Sequence, residues 1–112
     1  MESAIGTIQL ALAVSSYPVQ GDDPADKKLV GEFNDYGFFL FEAGRFKDAV
    51  DVLGAVTDTE ADRVPAYLNL ADAQYASGDK AGAKTNYAEY RKRMAAAGKA
   101  ASVPPRVAER LR

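Results

Sequence analysis

Apolar positions recur along the middle of the chain at the spacing of an α-helix. Phe33, Tyr36 and Leu40 form one series; Phe46, Ala49, Val50, Leu53 and Val56 form the next, after a glycine. Spacings of three and four put such side chains on one face, which predicts helices over about 30–43 and 46–58. The intervening "EAGRF" predicts a tight turn in which Gly44 ends the first helix, since glycine takes the left-handed conformation there at no steric cost. The pattern then repeats. "ASGDK" sets Gly78 between helices expected at 64–77 and 80–97, with Asp79 placed to cap the second of them. In "DRVPAY", Asp62 is the expected cap and Pro65 lies in the first turn. One stretch departs from a single stripe: Phe38, Phe39, Leu40 and Phe41 are consecutive and cover the whole circumference of a turn. More than one side of that helix therefore needs a neighbour.

The two hairpins superimpose in sequence at one fixed offset. Phe33 meets Tyr67, Tyr36 meets Leu70, Gly37 meets Ala71, Gly44 meets Gly78, Ala49 meets Ala83 and Leu53 meets Tyr87, each pair 34 residues apart. Large falls on large, small on small and glycine on glycine, the mark of an internal structural repeat. On these residues the chain resembles the tetratricopeptide repeat proteins. The family's large–large–small signature falls on Phe33, Tyr36, Gly37 and Leu40, then on Ala49, Leu53 and Val56; in the second copy it falls on Tyr67, Leu70, Ala71, Ala83 and Tyr87. The resemblance implies an all-α fold of tandem helix–turn–helix repeats, one over residues 30–63 and one over 64–97. Three positions depart from the signature: Gln74 replaces an aromatic, Tyr90 a small residue and Ala61 the closing proline. A tyrosine at position 90 is expected to obstruct close docking of a standard third repeat and so to end the array.

Two such units bury little surface alone, which calls for capping elements. At the C-terminus, Val103, Val107 and Leu111 lie at i, i+4 and i+8 behind Pro104 and Pro105, predicting a capping helix over 103–112. Together with the Ala/Gly/Lys linker at 95–101, this tail resembles the ends of bacterial tetratricopeptide proteins. At the N-terminus, Ile5, Ile8 and Leu12 fit a helix, whereas Ile8, Leu10, Leu12 and Val14 fit strand alternation. Ala/Leu content and the helical context favour a capping helix over 1–17, with the strand left open, followed by a polar linker at 18–29. That helix would cover part of the Phe38–Phe41 run.

Length and composition fit one folded domain: 112 residues, 47% apolar and 27% charged. The net charge of −2 hides a polarity. Residues 1–79 carry 14 Asp/Glu against 5 Lys/Arg, while residues 80–112 carry 9 Lys/Arg against 2 Asp/Glu. Cysteine and histidine are both absent, which removes disulfides, the usual neutral-pH acid–base residue and the commonest metal ligand. No phosphate loop, dinucleotide fingerprint or metal-ligand spacing occurs, and "GDDPAD" reads as a solvated acidic linker. No enzyme activity, no cofactor and no metal is expected. The run Ala4–Val14 is too short to span a bilayer and lacks the positive charge of a signal peptide, so the expected location is cytoplasmic.

Recognition is the remaining class of function. The resemblance implies a concave groove lined by the first helix of each repeat, holding a peptide or helix of a protein partner. On this chain that face falls on Asn34, Phe38, Phe41 and Glu42, then on Leu68, Asn69, Asp72 and Tyr75. Aromatic anchors with an acidic rim suit a basic or apolar segment. Phe38 and Phe41 equally fit a core under the N-terminal helix. The carboxylate clamp of cochaperone members is missing, because its Lys and Asn positions hold Asn34 and Phe38 in the first repeat, and only Asn69 matches in the second. The basic tail reads as a solvated face that complements helix C-termini, and it lacks the interleaved aromatics of a nucleic-acid binder. Self-association through open repeat ends is a further expectation. The alternative role is that of a bacterial immunity or antitoxin protein that neutralises a basic toxin by direct binding.

Overall fold

The computed structural model describes residues 24–112. Five α-helices follow one another: α1 Pro24–Glu42, α2 Phe46–Thr59, α3 Val64–Ser77, α4 Lys80–Ala96 and α5 Pro105–Arg110, with a 3-10 turn at Ala100–Ser102 before the last. Each packs on the next, and α1 also touches α3. The layout is all-α, two helical hairpins stacked side by side and closed by a short tail helix. The N-terminal capping helix expected over 1–17 lies outside the described residues.

Local chemistry explains the boundaries. Gly44 and Gly78 take φ of 81° and 98°. At the first, Arg45 N donates to Leu40 O at 2.9 Å and Gly44 N to Phe41 O at 3.0 Å; at the second, Asp79 N and Gly78 N donate to Gln74 O and Tyr75 O. These paired bonds satisfy the orphan carbonyls that end α1 and α3. Asp79 caps α4 by accepting from Gly82 N at 2.9 Å. Asp62 is not the cap of α3: that position is Arg63, with no side-chain cap bond, and the Asp62 carboxylate faces solvent. The linker expected over 18–29 is also corrected in its second part, since α1 starts at Pro24. Proline is suited to a first helical turn, and Val30, fully buried with Val56 and Ala66, fixes that end of the helix.

Small residues set how closely the helices approach. Gly37 of α1 faces Leu53 of α2 so closely that a Cβ built there would lie 2.5 Å from Leu53 Cγ. Ala49 and Ala83 are fully buried on α2 and α4. Two main clusters result. Leu40, Ala49, Val52, Leu53, Leu70 and Ala73 fill the first; Tyr67, Ala71, Ala83, Tyr87, Tyr90 and Val107 fill the second.

The tail helix continues the 34-residue register. Ala73 and Val107 are one repeat length apart and both fully buried, Ala73 against α2 and Val107 against α4. Helix α5 thus stands where the first helix of a next hairpin would stand, although only its second half is α-helical. Ala100, one repeat length after the buried Ala66, is exposed in the 3-10 turn. Two causes act together: Tyr90 fills the space that the smaller Val56 leaves for Ala66, and Pro104 and Pro105 remove two amide donors. A cleft of about 270 Å³ lies beside this point, lined by Val64, Leu68, Tyr90 and Met94 among others.

Candidate functional site

The eight residues expected to line the groove fall into three groups. Asn34 and Asn69 join the first helices of the two hairpins, with Asn69 Nδ2 donating to Asn34 Oδ1 at 3.3 Å. Phe38 and Phe41 stack on α1 with ring centroids 6.3 Å apart, and Phe41 tilts against Phe46 at 5.6 Å. Phe38 is 45% exposed, whereas Phe41 is half-buried against the first core cluster. Glu42 is exposed at the end of the same helix. Leu68, Asp72 and Tyr75, by contrast, belong to the region of the second cluster and the tail.

Asp72 is the clearest departure from expectation. It is only 7% exposed, the one buried charged side chain among the described residues. Arg106 grips it with two bonds, Nε to Oδ1 at 3.0 Å and Nη2 to Oδ2 at 2.7 Å, the planar fork geometry that suits a carboxylate. Tyr87 donates its hydroxyl to Asp72 Oδ1 at 2.5 Å and accepts from Arg110 Nη1 at 2.7 Å. The Arg110 guanidinium also lies over the Tyr75 ring, 4.1 Å from its centroid, with Lys80 Nζ at 4.3 Å from the same ring. Arg106 and Arg110 are one helical turn apart, so a single face of α5 delivers both cations. Asp72 is therefore not an acidic rim residue of an open groove; it anchors the tail. Tyr75 is likewise engaged by the chain's own cations.

The network shifts two groups. Burial, reinforced by the hydrogen bond to Asp72, pushes the Tyr87 hydroxyl up to about 12. The bond to Asp72 also raises Arg106 above its usual value. Because the folded chain holds the Tyr87 proton more tightly than the unfolded chain, its contribution is complete below pH 10.0 and is lost as pH rises toward 12. Thermal melts across that range should therefore fall more steeply for wild type than for Tyr87→Phe. At neutral pH the same variant is expected to cost about 1–2 kcal/mol, through the one bond each that Asp72 and Arg110 lose with the hydroxyl, while Arg106 still holds the carboxylate. Parallel alkaline slopes would show that the hydroxyl does not carry the effect.

Sequence pattern alone does not single out Arg106, Arg110 or Tyr87 as partners of Asp72. A signal exists, since Phe38, Asp72 and Arg106 stand at successive 34-residue steps and so occupy equivalent positions on successive first helices. Phe39, also absent from the expected set, is 63% exposed, more than Phe38.

With this geometry in place, comparison with known families is decisive. A model described as tetratricopeptide repeat matches residues 40–101, more than half of the chain. The chain belongs to the tetratricopeptide repeat family. No curated protein and no solved structure matches it. Tetratricopeptide repeats are in general non-enzymatic protein–protein interaction modules, which agrees with a face of exposed aromatic side chains. Among the described residues, no helix is long and apolar enough to cross a membrane.

Proposed function

We propose that this tetratricopeptide protein binds a peptide or helix of a protein partner through the first-hairpin half of its groove. The observation that carries the reading is Phe38, a large aromatic left 45% exposed and stacked on Phe41. Asn34, paired to Asn69, borders this patch on one side and Glu42 on the other. Aromatic side chains lose little entropy on binding and dominate interface energetics, so Phe38 is the anchor and Phe41 its support. Glu32, Asp35 and Glu42 are all exposed on α1, and such a surface favours a partner segment that is apolar with basic flanks. Asp72 and Tyr75 serve the tail in this reading, and Leu68 borders the separate cleft beside Tyr90.

The test is affinity capture from lysate, comparing wild type with Phe38→Ala/Glu42→Lys and with Phe39→Ala. Both altered sites are exposed, so helicity should be unchanged. A partner retained by wild type and Phe39→Ala but lost by the double variant supports the Phe38 anchor, with a loss of at least about tenfold for a true hot spot. Equal capture by all three would overturn it. A toxin as the captured partner would assign the immunity role; any other protein, an adaptor role.

A further inference from the structure

The chemistry of the groove changes from one repeat to the next. Phe38, Phe41 and Phe46 pack ring on ring across the turn of the first hairpin. The equivalent positions of the second hairpin, 34 residues on, hold Asp72, Tyr75 and Lys80. One repeat further, Arg106 stands at the position of Phe38 and Asp72 and turns its fork onto Asp72. Three apolar rings at one end are thus answered at the other by a single ring among charges.

Those charges do not cancel. Lys80 Nζ and the Arg110 guanidinium both lie against the Tyr75 ring, and Arg106 shares Asp72 with Arg110. Three cations therefore face one carboxylate, and no other Asp or Glu among the described residues forms an ion pair with them. Arg106 spends two of its five N–H donors on Asp72, and the bonds of Arg110 to Asp72 and Tyr87 all come from Nη1. Lys80 is exposed, and both arginines keep part of their side chains in solvent. Asp72 and Tyr75 hold these cations in place, so an incoming carboxylate meets donors whose freedom is already lost.

We infer that Tyr75, Lys80, Arg106 and Arg110 form the second end of the groove and take acidic side chains of the partner segment whose apolar residue sits on Phe38. This rests on the groove reading above and gives the partner a polarity, apolar and basic toward α1 and acidic toward α5. Charge complementarity selects it. Glu32, Asp35 and Glu42 are exposed on α1, whereas this end carries an excess of cations. The spacing follows from helix packing: α1 touches α3, and packed helices lie about 8–10 Å apart, which about three extended residues cross.

Titration of the isotope-labelled full chain with three synthetic peptides, followed by amide shifts, tests this. Each peptide carries Lys-Leu at one end and, three residues beyond the leucine, Glu-Glu, Gln-Gln or Lys-Lys. The Glu-Glu peptide should bind about fivefold tighter than the Gln-Gln peptide and at least about tenfold tighter than the Lys-Lys peptide. It alone should shift the amides of residues 75–80 and 106–110. Lys80→Glu should bring the three affinities within about twofold of one another. That site is exposed, lies outside the bonds to Asp72, and suits an acid because it opens helix α4. Equal affinities for wild type would overturn the inference, as would undetectable binding of all three or a Glu-Glu preference that survives Lys80→Glu. Phe38→Ala separates this inference from the groove reading, since it should weaken all three peptides alike and keep their ranking. A ranking that persists with no weakening would overturn the Phe38 anchor and leave the cationic end standing. Weakening with no ranking in wild type would do the reverse.

Discussion

Leu53→Ala will lower stability by about 2–5 kcal/mol, and Gly37→Ala, destabilising alone, will become neutral or favourable in that background. Leu53 is fully buried in the first core cluster, so its truncation loses apolar transfer energy and leaves a cavity. A methyl at position 37 meets Leu53 Cγ at 2.5 Å and Cδ2 at 2.6 Å, distances at which the leucine or the helix must move. Overpacking of this kind costs about 1–3 kcal/mol, partly offset by about 1 kcal/mol of helix propensity gained over glycine. With Leu53 shortened the clash disappears and the propensity gain remains. Urea denaturation of the two single variants and the double variant should give a coupling of at least about 1 kcal/mol. Additive losses would show that α1 and α2 do not meet through this pair.

Asp72→Ala will cost about 2–4 kcal/mol and release the tail helix. Removing one partner of a buried ion pair strands the others, and here the stranded groups are Tyr87, Arg106 and Arg110. The lower part of the usual range applies because the two arginine side chains are 39% and 30% exposed, so water takes over part of their solvation. A six-residue helix has little stability of its own, so α5 depends on this anchor and on the burial of Val107. Loss of amide protection at Val107 and Leu111, with α2 and α3 retained, is the signature to look for. Protection at those amides equal to wild type would show that Val107 alone holds the helix. Substitutions at Asp72 therefore probe the fold, and a test of partner binding belongs on Phe38 and Glu42.

The repeat, the turns and the core face were legible without the structure because each is local or repeated. Gly44 and Gly78 mark helix ends through backbone preference alone, and the 34-residue offset pairs Gly37 with Ala71 wherever the helices must approach. Two helix starts were less legible. Asp62 has the chemistry of a cap, yet the chain turns at Arg63 and leaves its carboxylate 97% exposed; α1 extends back to Pro24 because Val30 is buried at that end.

What the sequence by itself determined is the all-α tetratricopeptide architecture, with its hairpins, their offset and the apolar tail. Only the tertiary structure decided which groove residues are free. Phe38 and Asp72 occupy equivalent positions, and nothing in their own neighbourhood tells that one faces solvent while the other is buried under Arg106. Likewise four consecutive apolar residues on α1 reveal that several faces need neighbours, but not that Leu40 is buried while Phe38 and Phe39 stay exposed on different sides. Periodicity reports which face of a helix a residue shares; exposure depends on what the rest of the chain brings to that face, and here that is set by a helix 34 residues away.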